Sequence, residues 1–123
     1  MKIVGLVGPP GTGKSHHALM VAHEHNINYI IDDGLLLNGN HIVAGISSKR
    51  QSTKVGAIKT AMFTNDEHAR EVREAIEGMK PDSILILGTS EGMIERIVNR
   101  LNLPKPSELI RIEDVATTEE IKK

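Results

Sequence analysis

The sequence contains no cysteine and no tryptophan, and its aromatic residues are limited to Tyr29 and Phe63. The absence of cysteine excludes disulfides and thiolate metal sites, which agrees with a reducing, cytoplasmic location. Stacking of single-stranded nucleic acid needs several aromatic faces. We therefore do not expect nucleic acid as a partner, and a bound adenine would have to pack against aliphatic or arginine side chains.

The chain also lacks a strong net charge and a long apolar run. Fifteen Lys and Arg residues stand against sixteen Asp and Glu residues, so the formal net charge is −1 and any anion site must be local. The first apolar run, residues 3–7, is interrupted by Gly8, Pro9 and Pro10. It is too short for a signal sequence or a membrane span, and we expect no contact with a membrane.

What is present is the composition of an ordinary globular protein, with 39% apolar and 25% charged residues among 123. We expect a single domain over residues 1–123. Apolar runs predict four core strands, at residues 2–7, 28–31, 83–87 and 109–112. Helical spacing predicts helices at residues 14–25, 64–79 and 91–101. Strands alternating with helices predict an α/β fold with a mainly parallel sheet in three α/β/α layers.

Three local signals refine this prediction. Asn38, Gly39 and Asn40 separate two apolar runs within residues 35–44, which predicts a small β-hairpin as an excursion from the main sheet. Thr64 and Glu67 have capping-box spacing, as do Thr117 and Glu120 near the end. Because the chain stops just inside that last helix, we expect truncation, with a fifth strand or a further C-terminal domain missing. An unpaired sheet edge would then promote self-association.

Residues 8–15 read GPPGTGKS, in which Gly8, Gly13, Lys14 and Ser15 fit GxxxxGK(S/T). The pattern lies between a predicted strand and a predicted helix, which is the context that phosphate binding requires. Glycines let successive N–H groups converge on phosphate oxygens, and the helix N-terminus adds partial positive charge. We expect Lys14 to reach the β- and γ-phosphates and Ser15 to ligate Mg²⁺. A glycine-rich turn alone would not explain the Lys–Ser pair.

The candidate nucleotide-binding residues follow the loop into the first turn of the helix. Two prolines stiffen the loop, and the central glycine keeps its crown open. The full set is Gly8, Pro9, Pro10, Gly11, Thr12, Gly13, Lys14, Ser15 and His16.

On this motif the chain resembles the P-loop NTPase superfamily, in which GPPGTGKS is shared by AAA-type ATPases and many small P-loop kinases. The resemblance implies ATP with Mg²⁺ rather than GTP, and the NKxD motif of GTPases is missing. It also implies that residues 2–7 lie at the sheet centre, with the core strands in the order second, third, first, fourth. The whole chain resembles the amino-terminal part of uncharacterised bacterial ATP-binding proteins, which assigns no reaction.

P-loop enzymes usually hold magnesium with an Asp at the end of a hydrophobic strand. The strand at residues 83–87 ends in Gly88, Thr89 and Ser90, without an acid. The strand at residues 28–31 ends in Asp32 and Asp33, and we favour Asp32 slightly as the Mg²⁺ partner of Ser15. The alternative is that Asp32, Asp33 and Gly34 are simply a turn.

Lys14, Asp32, Asp33 and Thr89 are the candidate catalytic residues. By resemblance to AAA-type proteins, Thr89 would orient the attacking water, while Ser90 either acts beside it or only caps the next helix. Positive charge for the γ-phosphate would come from Lys49, Arg50 or Lys54, or from Arg96 or Arg100. The alternative for the basic run is a solvated face.

Two functions remain open from the sequence. The first is an ATP-binding enzyme that performs Mg²⁺-dependent hydrolysis or phosphoryl transfer, either an ATPase or a small-molecule kinase. The second is a nucleotide-sensing regulatory or assembly module with little intrinsic catalysis. The six histidines do not show zinc-site spacing, although His16 and His23 would share a helix face.

Overall fold

The structure is a computed structural model that describes residues 1–8, 14–39 and 41–112, without the side chains of residues 14–16. The crown of the predicted phosphate loop and the predicted cap at Thr117 lie outside the described residues. In chain order the elements are β1 (Lys2–Val7), α1 (Lys14–Glu24), β2 (Tyr29–Asp32), β3 (Leu35–Asn38), β4 (His41–Gly45), a 3₁₀ turn (Ser48–Arg50), α2 (Lys54–Ala61), α3 (Asp66–Met79), β5 (Ser83–Gly88), α4 (Glu91–Arg100) and β6 (Glu108–Arg111).

The six strands form one mixed sheet in the order β4-β3-β2-β5-β1-β6. β2, β5, β1 and β6 pair in parallel, while β3 pairs antiparallel with both β2 and β4. The predicted order of the four core strands is confirmed, because the second, third, first and fourth of them are β2, β5, β1 and β6. The prediction of an α/β fold is confirmed as well, but the sheet is mixed, with three parallel and two antiparallel pairings, where a mainly parallel sheet was predicted.

The predicted hairpin is present as β3 and β4, but it is not an excursion from the main sheet. β3 also pairs with β2, so the hairpin continues the sheet at that side. The connection from β2 to β3 is the two-residue turn Asp33–Gly34, with φ of 59° and 85°. Two successive positive φ angles are what a type I′ hairpin turn requires, and Asp-Gly is a favoured pair for it.

Alternate residues of β1 and β5 belong to two different core clusters, as the two-residue period of a strand requires. Ile3, Ile84 and Ile86 pack with apolar residues of the third and fourth helices, namely Val72, Ile76, Ile94 and Ile97. Val4, Leu6, Leu85 and Leu87 pack with Ala18, Val21 and Ala22 of α1. Each fully buried aliphatic side chain stabilises the fold by roughly 1.5–3 kcal/mol. None of the described helices has the length and apolar character needed to cross a bilayer.

Arg100 joins the end of α4 to the start of α3. Its guanidinium donates to the carbonyl of Phe63 at 2.7 Å, to that of Thr64 at 3.1 Å and to Asp66 Oδ1 at 2.8 Å. The hydrogen bond and charge of Arg100 lower the pKa of Asp66, so this pairing favours the folded state at neutral pH and is lost on acidification. Arg100 therefore serves the fold and is not a source of charge for a γ-phosphate.

Two helix boundaries differ from the sequence prediction. The basic run, for which the sequence predicted no secondary structure, contains α2, which is capped by the Thr53 side chain accepting from Gly56 N. Gly56 and the lack of an apolar stripe obscure this short helix in the sequence. The prediction that Thr64 caps α3 is wrong, because the side chain of Asn65 accepts from His68 N at 3.0 Å.

The cap of α3 gives a first testable prediction. Asn65→Ala removes the acceptor for an otherwise unpaired N–H and should lower the free energy of unfolding by about 1 kcal/mol. Thr64→Ala, one residue earlier, is the matched control and should change it by less than about 0.5 kcal/mol. Urea denaturation followed by circular dichroism measures both, and equal losses would contradict the assignment of the cap.

Candidate functional site

The two ends of the predicted phosphate loop lie where phosphate binding requires them. The Gly8 N–H donates to the Gly88 carbonyl at 3.1 Å, so β1 stays paired with β5 until the loop begins. The chain enters α1 at Lys14, which puts Lys14 and Ser15 in the first helical turn. The described residues thus contain the strand that precedes the loop and the helix N-terminus that follows it. A helix N-terminus carries partial positive charge and unpaired N–H groups.

Asp32 is the last residue of β2 and lies at the same edge of the sheet. Ile31 pairs with Ile86 of β5, so Asp32 lies level with Leu87, which in turn pairs with Leu6 of β1. Leu6 and Leu87 pack in the cluster that contains α1. Because laterally paired residues of a sheet share a face, the Asp32 side chain lies on the α1 side of the sheet. It is partly exposed there.

Asp33 is separated from Asp32 by its backbone conformation. It begins the hairpin turn, where its carboxylate accepts from the Ser48 hydroxyl at 2.7 Å and its carbonyl accepts from Ser48 N at 2.9 Å. Lys49 Nζ lies 4.0 Å from the second carboxylate oxygen. The turn interpretation of the sequence is therefore correct for Asp33 and Gly34, whereas Asp32 belongs to the strand.

The carbonyl oxygen of Gly34, in the turn after Asp32, contacts two other parts of the fold. This oxygen accepts from Ile46 N at 3.2 Å and lies 2.7 Å from Nε2 of His68. His68 Nε2 also lies 3.2 Å from Ile46 N, so it donates to the Gly34 carbonyl in the tautomer with hydrogen on Nε2 and accepts from Ile46 N in the other. His68 is only 3% exposed, and its ring packs on Phe63 with centroids 4.6 Å apart.

His68 was not among the residues that the sequence singled out. The available signal was its spacing on α3, because residues 68, 72 and 76 are four apart and Val72 and Ile76 form the buried face. A histidine on that face predicts a buried polar contact.

Thr89 and Ser90 follow β5, between the end of β1 and the end of β2. The Ser90 hydroxyl accepts from Met93 N at 3.1 Å, so the alternative that Ser90 caps the next helix is confirmed. The Thr89 hydroxyl and its backbone N–H both point at Met93 Sδ, at 3.5 Å and 3.3 Å. A thioether is a weak acceptor, which leaves the Thr89 hydroxyl available to a stronger partner.

An open cavity of about 540 Å³ lies beside these residues. Its polar lining comes from the Asp33 turn, the 3₁₀ turn and the start of α4, and its apolar lining comes mainly from α2. The polar lining residues are Asp33, Ser48, Thr89, Ser90 and Arg96. Of the predicted sources of positive charge, Arg96 lines this cavity and Lys49 lies near Asp33.

The described residues contain no group of three or more His, Asp or Glu side chains arranged to hold a metal ion. The Mg²⁺ site that the sequence predicts combines Asp32 with Ser15, whose side chain is not described. Asp32 itself has the chemistry for it, since a carboxylate oxygen is a ligand that Mg²⁺ prefers. Its location at the edge where α1 begins fits that role.

The comparisons with known proteins identify the family. A family model described as "ATPase family associated with various cellular activities (AAA)" matches residues 4–116. The match covers most of the chain, so the chain belongs to this family of P-loop NTPases, as the GPPGTGKS motif predicted. Membership indicates ATP binding and hydrolysis in general. No curated protein and no solved structure matches the chain.

The turn that follows Asp32 gives a second prediction. In Gly34→Ala the new Cβ would lie 2.3 Å from the Ile46 carbonyl oxygen at a φ of +85°, so the protein should lose about 2–4 kcal/mol of stability. Gly39→Ala is the matched control, because Gly39 also has positive φ but a Cβ there meets nothing within 4 Å. We expect it to cost only about 1 kcal/mol. Thermal and urea denaturation compare the two, and a Gly39→Ala loss as large as that of Gly34→Ala would contradict the packing described for the turn.

Proposed function

We propose that this member of the AAA family binds Mg²⁺–ATP through residues 8–16 and catalyses its hydrolysis or the transfer of its γ-phosphoryl group. One observation carries the proposal: the loop leaves β1 and enters α1 at the sheet edge where Asp32 lies on the α1 side. An acid at that position faces the helix whose first turn contains Lys14 and Ser15. The arrangement combines amides, an ammonium group and a carboxylate, as a metal–polyphosphate complex requires.

Each residue of the loop has a defined part in this proposal. Backbone N–H groups of residues 8–13 and of the first turn of α1 hold the phosphate oxygens, and Lys14 stabilises charge on the β- and γ-phosphates. Thr12 and His16 border the same phosphates. Ser15 and Asp32 would hold Mg²⁺, Asp32 by accepting hydrogen bonds from its bound water, and the ion would supply neutralisation of phosphate charge.

Thr89 is the residue that we assign to the attacking water. It follows β5, which lies between β1 and β2, and so stands between the start of the loop and Asp32. Among the described residues its hydroxyl contacts only a thioether acceptor, at 3.5 Å, which supports a role in orienting a water by hydrogen bonding.

The proposal includes the arrangement of the domain. The division of alternate strand residues between a cluster with α1 and a cluster with α3 and α4 supports three α/β/α layers. We propose that residues 1–123 form one nucleotide-binding domain of this type.

A nucleotide-sensing module with little turnover is the second candidate, and the state of Asp33 favours it. The Asp33 carboxylate is occupied by the Ser48 hydroxyl at 2.7 Å and lies 4.0 Å from Lys49 Nζ. A carboxylate engaged in this way is a poor general base for water. Release of ADP dependent on an acceptor would indicate a kinase, slow acceptor-independent release an ATPase, and tight binding without either a sensor.

Lys14→Ala tests the nucleotide site. Loss of a charge-assisted hydrogen bond of about 1.5–3 kcal/mol should weaken ATP binding roughly 10- to 100-fold. Lys2→Ala is the matched control, because Lys2 is an exposed residue at the opposite end of β1. Calorimetric titration with a non-hydrolysable ATP analogue and Mg²⁺ measures both affinities. Unchanged affinity in Lys14→Ala would count against the proposed site.

Separate substitutions of Asp32 and Asp33 test which of the two aspartates holds the metal. Asp32→Asn should raise the Mg²⁺ concentration needed for half-maximal nucleotide binding about tenfold or more, because it removes the carboxylate proposed to hold the water bound to the metal. Asp33→Asn keeps an acceptor for Ser48 and should leave the Mg²⁺ titration nearly unchanged. If Asp33→Asn alone shifts the titration, the assignment moves from Asp32 to Asp33.

A further inference from the structure

The cavity beside Thr89 is lined by Met93, which packs against the core cluster of α3 and α4, whereas Asp32 lies on the α1 side of the sheet. Its volume of about 540 Å³ is within the range of small-molecule sites, roughly 300–1,000 Å³. Its polar lining includes Asp33 and Ser48 as well as Thr89, Ser90 and Arg96. Because Asp33 follows β2 and Thr89 follows β5, the cavity lies at the sheet edge where the phosphate loop begins.

Arg96 gives the cavity its charge. Its side chain is exposed and makes no hydrogen bond or ion pair with any part of the chain that the structure describes, whereas Arg100, one turn later on α4, binds two carbonyls and Asp66. Asp33, the acid that lines the cavity, is already engaged by Ser48 and Lys49. A guanidinium without a partner beside a cavity favours a carboxylate or a phosphate as ligand.

The apolar residues that line the cavity indicate the chemistry of the uncharged part of the ligand. α2 contributes Ala57, Ile58, Ala61 and, at its end, Met62, and α4 contributes Met93. These apolar side chains can pack against an aliphatic group of the ligand. No aromatic ring lines the cavity among the described residues, so it offers nothing on which a nucleobase would stack. Within the part of the chain that the structure describes, the Thr89 hydroxyl has a thioether as its acceptor, so it can bond a hydroxyl of the ligand.

We propose that this cavity is a second ligand site, which binds a small organic anion with an aliphatic body and a hydroxyl group beside the nucleotide. Arg96 pairs with the anionic group, the α2 side chains cover the aliphatic part, and Thr89 bonds the hydroxyl. Because a threonine hydroxyl has one donor and two acceptor positions, Thr89 can bond this hydroxyl and the proposed attacking water at the same time. The inference deepens the proposed function and depends on it only for the statement that a nucleotide occupies the neighbouring loop.

The methionines of the chain allow a direct test. Met62 and Met93 line the cavity, whereas Met20 on α1 and Met79 at the end of α3 do not. With the methionine methyl groups labelled with ¹³C, 2-hydroxy-4-methylpentanoate is titrated as the probe, and 4-methylpentane-1,2-diol serves as its uncharged counterpart. We expect saturable shifts of Met62 and Met93 but not of Met20 or Met79, with a Kd for the anion on the order of 1 mM or tighter.

Arg96→Gln should weaken binding of the anionic probe about tenfold and leave binding of the diol unchanged, because only the charge-assisted contact is lost. Arg70→Gln, an exposed arginine on α3 outside the cavity, is the matched control and should leave both affinities unchanged. Ala57→Leu fills the cavity from α2 and should weaken both probes. Absence of saturable shifts at Met62 and Met93, or equal effects of the two arginine substitutions, would overturn the inference.

A final experiment distinguishes a failure of this inference from a failure of the proposed function. A non-hydrolysable ATP analogue with Mg²⁺ is added to the protein saturated with the anionic probe. Binding of both together supports a second site, and displacement of the probe by the analogue contradicts it because the cavity would then belong to the nucleotide. Probe binding with no detectable nucleotide binding would contradict the proposed function and still support the cavity as a ligand site.

Discussion

Three parallel strands, β2, β5 and β1, end at one edge of the sheet, and their hydrogen-bonded register fixes what meets there. Gly8 leaves β1 while still bonded to Gly88 of β5, and Asp32 ends β2 at the level of Leu87. Ligands of open α/β sheets bind at the carboxyl ends of the strands. The pairing therefore brings together residues that are far apart in sequence, and every role proposed here depends on it.

The same edge is held rigid by contacts that involve no ligand. The Gly34 carbonyl is bonded to Ile46 and His68, and Asp33 is bonded to Ser48. These bonds tie the end of β2 to β4, to α3 and to the 3₁₀ turn. Asp33 belongs to this turn whereas Asp32 ends β2, which is the physical reason for proposing different roles for two adjacent aspartates.

Much of this architecture was predictable because it follows from local patterns. Short apolar runs ending in glycine or acid define the four core strands, and the GPPGTGKS spacing identifies the loop and the family. The sequence did not predict α2, because Gly56 interrupts it and its apolar residues do not recur at helical spacing. It also predicted Thr64 as the cap of α3, one residue before the actual cap, Asn65. The spacing of His68 on α3 indicates that it is buried, but neither its partner nor the cavity at Arg96 was predictable, because both depend on contacts between elements distant in sequence.

The central claim is that residues 8–16 and Asp32 together hold a metal–nucleotide complex. A crystal structure of the protein with a non-hydrolysable ATP analogue and Mg²⁺ tests it most directly. The account predicts the β- and γ-phosphates between Gly8 and the first turn of α1, with Ser15 and Asp32 nearest the metal. A nucleotide bound elsewhere, or a metal whose nearest acid is not Asp32, would contradict it.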